Sequence, residues 1–416
     1  MLFLFMACSN GTGNDDTESD AGDDVTWVAD IAPIVGTSCV GCHNRDGIGS
    51  FPLESYDDVV LVKDAVADAV LNRRMPPWLA SQGCAEYRND ISLTDEEINL
   101  VQRWVDGGAP EGDPADAVDF LAPEWPVLED PDVVLELPVV YTPTAAPDDY
   151  RCFVVDWPED ETRYVVGYDV VPGNERVVHH LVAYIAPPEH AEFYEGLQAD
   201  EAGAGYTCYG GPGAPEGLDG NAVDWLGAWA PGGGYNAFPE GVGVKMEPGS
   251  KVILQMHYNL EGVEAGEEDR TQMLLELADE VDRSSWIQPW ADPGWLGTEL
   301  MEIPAGTEGV THSFRYALPT TLTLYSANVH MHKLGVSGRM YIDRGDEGEE
   351  CLVDIPRYDF NWQRAYGFVE PKVVNAGDEV VVECTWDNPG EQDVFWGEGT
   401  SDEMCLGTML MAVGAP

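Results

Sequence analysis

Eight histidines stand in this 416-residue chain, and five of them fall in three tight contexts. His179 and His180 adjoin in ERVVHHLVAYI, His257 sits in ILQMHYNL, and His330 and His332 are two apart in ANVHMHKLG. Each context is apolar and reads as a strand, where successive side chains point to opposite faces. Alternation puts His330 and His332 on one face, a natural bidentate clamp for a metal ion. It sends His179 and His180 to opposite faces, one ring buried and hydrogen-bonded and the other in solvent, unless the strand distorts enough to turn both toward one ion. His190 and His312 have no such context and read as surface residues.

A second chemistry is written at Cys39-Val40-Gly41-Cys42-His43, the C-x-x-C-H pattern of covalent c-type haem attachment. Two thiols three residues apart each bond a vinyl group, and the adjacent histidine reaches the iron. A redox dithiol or half of a zinc site is the alternative. Zinc needs a second ligand pair, and this segment offers only Cys84 and no other histidine. Met75, in NRRMPPWLA, is the candidate distal axial ligand, a thioether on a proline-stiffened loop, with a packing role as the alternative. The segment resembles mono-haem cytochromes c over residues 25–115, and LTDEEINLVQRWVDGGAP looks like their terminal helix. Thr94 with Glu97 forms a capping box, Leu93 and Ile98 a staple, and Ile98, Val101, Trp104 and Val105 an apolar stripe. Gly107-Gly108 then stops the helix.

The elements that position these residues change character along the chain. Residues 25–118 have helical periodicity broken by Gly/Pro loops, a small all-α unit. From about residue 119, runs such as DVVLEL, RYVVGYDVV and KVILQMHYNL are β-branched and bounded by Gly/Pro/Asp turns, which predicts antiparallel sandwiches. Their length suits two, residues 119–285 and 286–416, divided in DRSSWIQPWADPG. The expected fold is therefore a cytochrome c domain followed by two all-β, jelly-roll-like sandwiches. Residues 1–24 read as a short apolar signal remnant ending at Cys8, the residue lipidated in a bacterial lipoprotein signal, and an acidic tether. Twenty basic against 76 acidic residues give a net charge of −56, which argues against nucleic acid or an anionic membrane surface as partner.

A block near the C-terminus, GTSDEMCLGTML, adds a sulfur at Met404. With it, residues 130–416 resemble the copper type II, ascorbate-dependent monooxygenases, the family of peptidylglycine α-hydroxylating and dopamine β-monooxygenases. The resemblance rests on His179-His180, on LQMHY with His257, on VHMHKLG with His330 and His332, and on DEMC with Met404. The stretch LGAWAPGGGYNAFPEGVGVKMEPGS also looks like the corresponding family segment.

The resemblance assigns His179, His180 and His257 to an electron-transfer copper, and His330, His332 and Met404 to a second copper where O2 binds. Two imidazoles and a thioether suit Cu(I), the state that meets O2, and three imidazoles hold either oxidation state. It further implies disulfides Cys152–Cys208 and Cys384–Cys405, a supporting role for Gln255, and hydroxylation of an aliphatic C–H bond of a small-molecule substrate. Cys84 and Cys351 stay open, bridged or free. Two copper ions, one covalent haem c and an external reductant, ascorbate or an electron-donor protein, are the expected cofactors. The location expected is a bacterial periplasm or cell surface, through a lipid anchor at Cys8. Peptide-amidating members hold a carboxylate with an arginine two residues before the H-x-H and with Asn and Tyr after the Met-Cys. Asn328, Leu406 and Thr408 occupy those positions here, so peptidylglycine is not the expected substrate. The alternative function is a periplasmic copper and haem electron-transfer or copper-binding protein without hydroxylase activity.

Overall fold

The computed structural model describes residues 25–45, 49–117, 128–215, 223–230, 233–263 and 266–415. Cys8 and the 1–24 tether lie outside the described residues. The chain divides into two compact units, Met1–Pro77 with Ile91–Glu124, and Trp78–Asp90 with Trp125–Pro416.

The first unit is helical. A turn at Trp27–Ile31 leads into α1 (Ala32–Ser38), followed by α2 (Tyr56–Leu71) and α3 (Asp95–Asp106). α3 forms as its local signals dictate: Thr94 Oγ1 accepts from Glu97 N at 3.2 Å while Thr94 N donates to Glu97 Oε2 at 2.8 Å. Gly108, at φ 89°, ends it in the left-handed conformation that glycine adopts without a Cβ penalty. Its stripe buries Ile98, Val101 and Trp104 against Trp27, Ile31, Val59, Val70 and Leu93. This is a small helical unit, and a complete cytochrome c fold is not evident in it.

The second unit carries the strands. In chain order these are β1 (Val133–Glu136), β2 (Asp148–Asp156), β3 (Arg163–Val171), β4 (Val178–Ala186), β5 (Tyr206–Thr207), β6 (Asp224–Trp229), β7 (Asn236–Ala237), β8 (Val242–Met246) and β9 (Lys251–Asn259). They continue with β10 (Gln272–Ala278), β11 (Arg283–Trp290), β12 (Thr307–Ala317), β13 (Leu322–His330), β14 (Gly335–Asp343), β15 (Glu349–Ile355), β16 (Tyr366–Val374), β17 (Glu379–Asn388) and β18 (Leu406–Val413). A single α-helix, α4 (Ala191–Asp200), interrupts them among the described residues, with short 3-10 turns at Pro188–His190 and Gly345–Glu347.

Most strands join one 14-stranded sheet, and β12-β17-β14-β15 form a separate four-stranded sheet. Residue 285, the boundary suggested by the turn-rich sequence, falls inside β11. That strand pairs with β8 and β6 of the earlier half and with β18 of the later one. Its Ser, Gln and Pro content resembles a linker, but pairing partners outweigh local β-propensity. The main core gathers Leu135, Phe153, Leu181, Leu254, Met256 and Tyr258, with Tyr325 and Leu410 from the later half.

Residues 78–90, expected with the helices, belong to this unit. Cys84 is bonded to Cys351, 267 residues away. Tyr87 OH donates to Leu352 O at 2.9 Å, and Ser81 N to Asp354 O at 2.7 Å. The expected Cys152–Cys208 and Cys384–Cys405 bridges are also formed.

Candidate copper centres

The paired histidines sit where β4 departs from regular pairing. In its register with β9, Val178 opposes Tyr258 and His180 opposes His257, with an irregularity between Val178 and His180. His179 is the extra residue of that bulge, and a bulge re-aims side chains that strict alternation would separate. The outcome is convergence. His179 Nδ1 lies 3.2 Å from His180 Nδ1, which lies 3.3 Å from His257 Nδ1. The ligand atoms of the three rings all fall within 4.8 Å of one another. Imidazole nitrogens about 2.0 Å from a shared tetrahedral ion stand roughly 3.3 Å apart, so the residues fit a metal. Three convergent ring nitrogens also suit copper.

The tautomer is set from behind. His257 Nε2 lies 2.8 Å from Asp148 Oδ1, an oxygen that only accepts, so Nε2 carries the proton and Nδ1 the lone pair. Burial raises the Asp148 carboxyl, but hydrogen bonds from His257 and Thr400 outweigh it and hold the group below the usual carboxylate range. The Tyr150 ring stacks on His257 at 4.1 Å and 10°, fixing its plane.

The second pair uses the opposite nitrogens. His330 Nδ1 donates to Gln363 Oε1 and His332 Nδ1 to Asp402 O at 3.0 Å, leaving each Nε2 free for a ligand bond. The rings stand 5.1 Å apart at 83°, while Met331 between them is fully buried on the other side. Tyr358 OH donates to Met331 O at 2.6 Å and accepts from Met331 N at 3.0 Å. Met404 is buried and lines the same cavity as His180, His330 and His332. Beside it, Glu403 accepts from His332 N, Leu334 N and Trp386 Nε1. Burial pushes its carboxyl up to about 7 against those donors.

Burial also pushes the histidines down, His179 and His330 to about 3 and His332 to about 4, and neighbouring rings add to it. These imidazoles are therefore neutral at physiological pH, the form that binds metal. The Phe360 ring joins the two groups: it stacks on His179 at 4.9 Å and meets the His332 ring at 6.0 Å and 77°.

The sequence offers the candidate ligands without their supports. Asp148, Gln363 and Phe360 belong to no spacing motif and reach the site only through the fold, while Glu403 lies within the DEMC block but has no role assigned there. Gln255 is buried as expected of a supporting residue, but it accepts from Tyr184 OH (3.0 Å) and donates to Cys208 O (2.8 Å) rather than bonding a histidine. His190 and His312 are half-buried rather than exposed; His312 Nε2 lies 2.8 Å from Glu302 O and its ring packs near Trp386.

His180, His330, His332 and Met404 line a cavity of about 450 Å³ walled by Trp225, Trp229, Trp290 and Trp396. That is the size of a small-molecule site. Leu406, Thr408 and Asn328 line it, and so do Arg88 and Arg364, two arginines that the comparison with amidating enzymes did not anticipate.

The chain matches the family models "Copper type II ascorbate-dependent monooxygenase, N-terminal domain" over residues 134–264 and "C-terminal domain" over residues 299–411. DBH-like monooxygenase protein 1 of Homo sapiens is 23% identical over 349 residues, 77% of this chain and 55% of that protein. Tyramine beta-hydroxylase of Caenorhabditis briggsae is 22% identical over 357 residues, 77% of this chain and 54% of that protein. The Gallus gallus DBH-like monooxygenase protein 1 is 22% identical over 250 residues, 57% and 39% respectively. The chain thus spans 39% to 55% of the length of these relatives. Among solved structures, a peptide N-glycanase F aligns over 68% of this chain and 95% of that one with a TM-score of 0.31 and 10% identity, too low to bear on fold or function. With both domain models matched and every ligand position of the resemblance filled, this chain belongs to the copper type II ascorbate-dependent monooxygenase family.

Proposed function

We propose that the chain is a copper-dependent monooxygenase that hydroxylates an aliphatic C–H bond of a small molecule held in the tryptophan-walled cavity. One observation carries this reading: two histidine clusters present opposite ring nitrogens, and His180 of one and His330 and His332 of the other line the same cavity. Bound copper would supply the O2 and one-electron chemistry, placing one oxygen atom in the product and the other in water at the cost of two electrons. The chain's own residues do the rest. Asp148 keeps the His257 proton on Nε2, Gln363 and the Asp402 carbonyl keep the His330 and His332 protons on Nδ1, and the Met404 thioether favours Cu(I). The aromatic walls exclude water from the reacting bond.

A covalent haem c as the electron relay belongs to the same proposal. The residues fit it. Cys39 and Cys42 are the cysteines outside the three disulfides among the described residues, and a turn closed by His43 N donating to Cys39 O at 2.9 Å brings them together. His43 Nδ1 lies 3.0 Å from Phe51 O, which leaves Nε2 for an axial bond. Gly49 fits beside the ring because a Cβ there would lie 2.6 Å from His43 Nδ1. Met75, half-buried, is the distal ligand of this reading. The haem would supply single-electron transfer from ascorbate or a protein donor. Three disulfides support an oxidising compartment outside the cytoplasm; on this reading it is the periplasm or cell surface, with Cys8 as the lipid anchor.

The test is metal content by mass spectrometry, a pyridine haemochrome spectrum, and O2 uptake matched against hydroxylated product. Two coppers and one haem per chain, with O2 consumed one-to-one with product, are expected. Fully loaded protein that consumes no O2 with any screened substrate is instead an electron carrier.

A further inference from the structure

A half-buried basic side chain on the cavity wall, Arg88, has a buried nitrogen with no hydrogen-bond partner. Arg88 lies on the 78–90 segment and is anchored on both sides. The Cys84–Cys351 bridge precedes it, Glu86 O accepts from Val369 N at 2.9 Å, and Arg88 N donates to Gly367 O at 2.8 Å. These bonds lay the segment along β16 and send the Arg88 side chain to the cavity wall. The guanidinium packs over Gly367, where a Cβ would lie 2.6 Å from Nη2. Arg88 Nε is buried without a hydrogen-bond partner, and among the described residues no carboxylate forms an ion pair with it. That is a notable omission in a chain with 76 acidic residues and 20 basic ones. Arg88 is half-buried, and a desolvated guanidinium N–H left without an acceptor is unfavourable and calls for a partner.

A second orphan lies between Arg88 and the metal ligands. Ser326, Asn328 and His330 alternate along β13 and all face the cavity, and Ser326 pairs with Gly367. At about 3.3 Å per residue, Asn328 stands roughly 7 Å and Ser326 roughly 13 Å from His330 along the strand. Asn328 Oδ1 is buried and likewise has no partner. The wall therefore runs from the candidate metal ligands, past an unsatisfied acceptor at Asn328 Oδ1, to the unsatisfied Nε of Arg88.

We infer that Arg88 is the anchor for an anionic head group, and that the substrate is a carboxylate with an apolar or aromatic body. The guanidinium fork matches a carboxylate in two parallel N–H···O bonds. The body lies along the tryptophan walls and puts its far C–H bonds at the His330/His332 end, while Asn328 Oδ1 accepts from any donor midway. The placement of oxidation at that end rests on the monooxygenase reading; the head-group preference does not. The opposing candidate is Glu398, a buried carboxyl on the same cavity that would attract an amine.

The test is binding of 6-phenylhexanoate, 6-phenylhexylamine and 6-phenylhexanol, three probes with one tail and different heads. Quenching of the protein's tryptophan fluorescence reads it, on metal-free and on copper-loaded protein. The carboxylate is expected to bind at least tenfold more tightly than the amine or the alcohol. R88M abolishes that preference, and R88K keeps only part of it, because a point charge does not replace the fork. Gly367→Ala, which displaces the guanidinium and keeps its charge, also weakens the carboxylate. Should R88M fail to fold, R88K and G367A decide the matter. Equal or tighter binding of the amine, or a carboxylate preference that survives these variants, overturns the inference. Arg88-dependent carboxylate binding by protein that never oxygenates leaves the inference standing and removes the monooxygenase reading. Oxygenation of amines without dependence on Arg88 does the reverse.

Discussion

His257 donates Nε2–H to Asp148 Oδ1 at 2.8 Å, so a carboxylate 109 residues away selects the nitrogen that faces the metal. Removing it leaves the ring free to swap tautomers and tilt. D148A is expected to weaken copper at the His179/His180/His257 site by about 10- to 100-fold, with the His330/His332/Met404 site as an internal control, read by chelator competition. The same variant has a pH signature in metal-free protein. The folded-state pKa of Asp148 lies below the ordinary carboxylate value, so its contribution to stability is present above about pH 4 and lost as pH falls from there through the folded-state value. The gap in thermal midpoint between wild type and D148A is widest near neutrality and narrows below about pH 4; a gap that widens there contradicts the assignment. The candidate ligands were legible in the chain, because His179-His180 and His330-x-His332 bring metal-binding groups within one or two residues. Asp148 and Gln363 were not, since carboxylates and amides abound and only the fold selects these two.

Among the elements, α3 was legible to its caps, because Thr94, Glu97 and the stripe from Ile98 to Trp104 act within a few turns. The β4 bulge was legible only as a requirement: two adjacent rings must turn to one ion, and the structure meets it with the irregular pairing after Val178. The 358–363 loop was not legible at all, since YDFNWQ reads as a connection. Yet Tyr358 holds both backbone groups of Met331, Phe360 touches His179 and His332, and Gln363 orients His330. The loop is the support that keeps the H-x-H segment in place. Y358F leaves the Met331 N–H and C=O buried and unpaired, a loss of about 1–3 kcal/mol. Urea unfolding is expected to show a lower midpoint at unchanged slope, and the copper affinity of the His330/His332/Met404 site falls with it. Unchanged stability would make the hydroxyl's two contacts incidental.

For the whole molecule, composition announced a helical part and a larger β part, and the structure has both. The division within the β part was hidden, because β11 pairs in both directions from a stretch rich in Ser, Gln and Pro. The allegiance of residues 78–90 was hidden as well, since it depends on a disulfide spanning 267 residues. This organisation frames the last prediction. Each hydroxylation takes two electrons, and a haem carries one at a time. On the proposed reading, a haem on the same chain would act as a reductant at an effective concentration that a linker sets, in the millimolar range for short flexible ones. Direct reduction of copper by a small molecule needs no haem, whereas a protein donor too large for the cavity does. H43A, loaded with copper, is therefore expected to keep its ascorbate-supported O2 uptake and to lose at least tenfold of the uptake supported by a c-type cytochrome donor. With a net charge of −56, the wild-type rate with a cationic donor should also fall as salt screens their attraction. If H43A loses nothing with either donor, the haem lies off the electron route; if it loses both alike, His43 supports the fold rather than the relay.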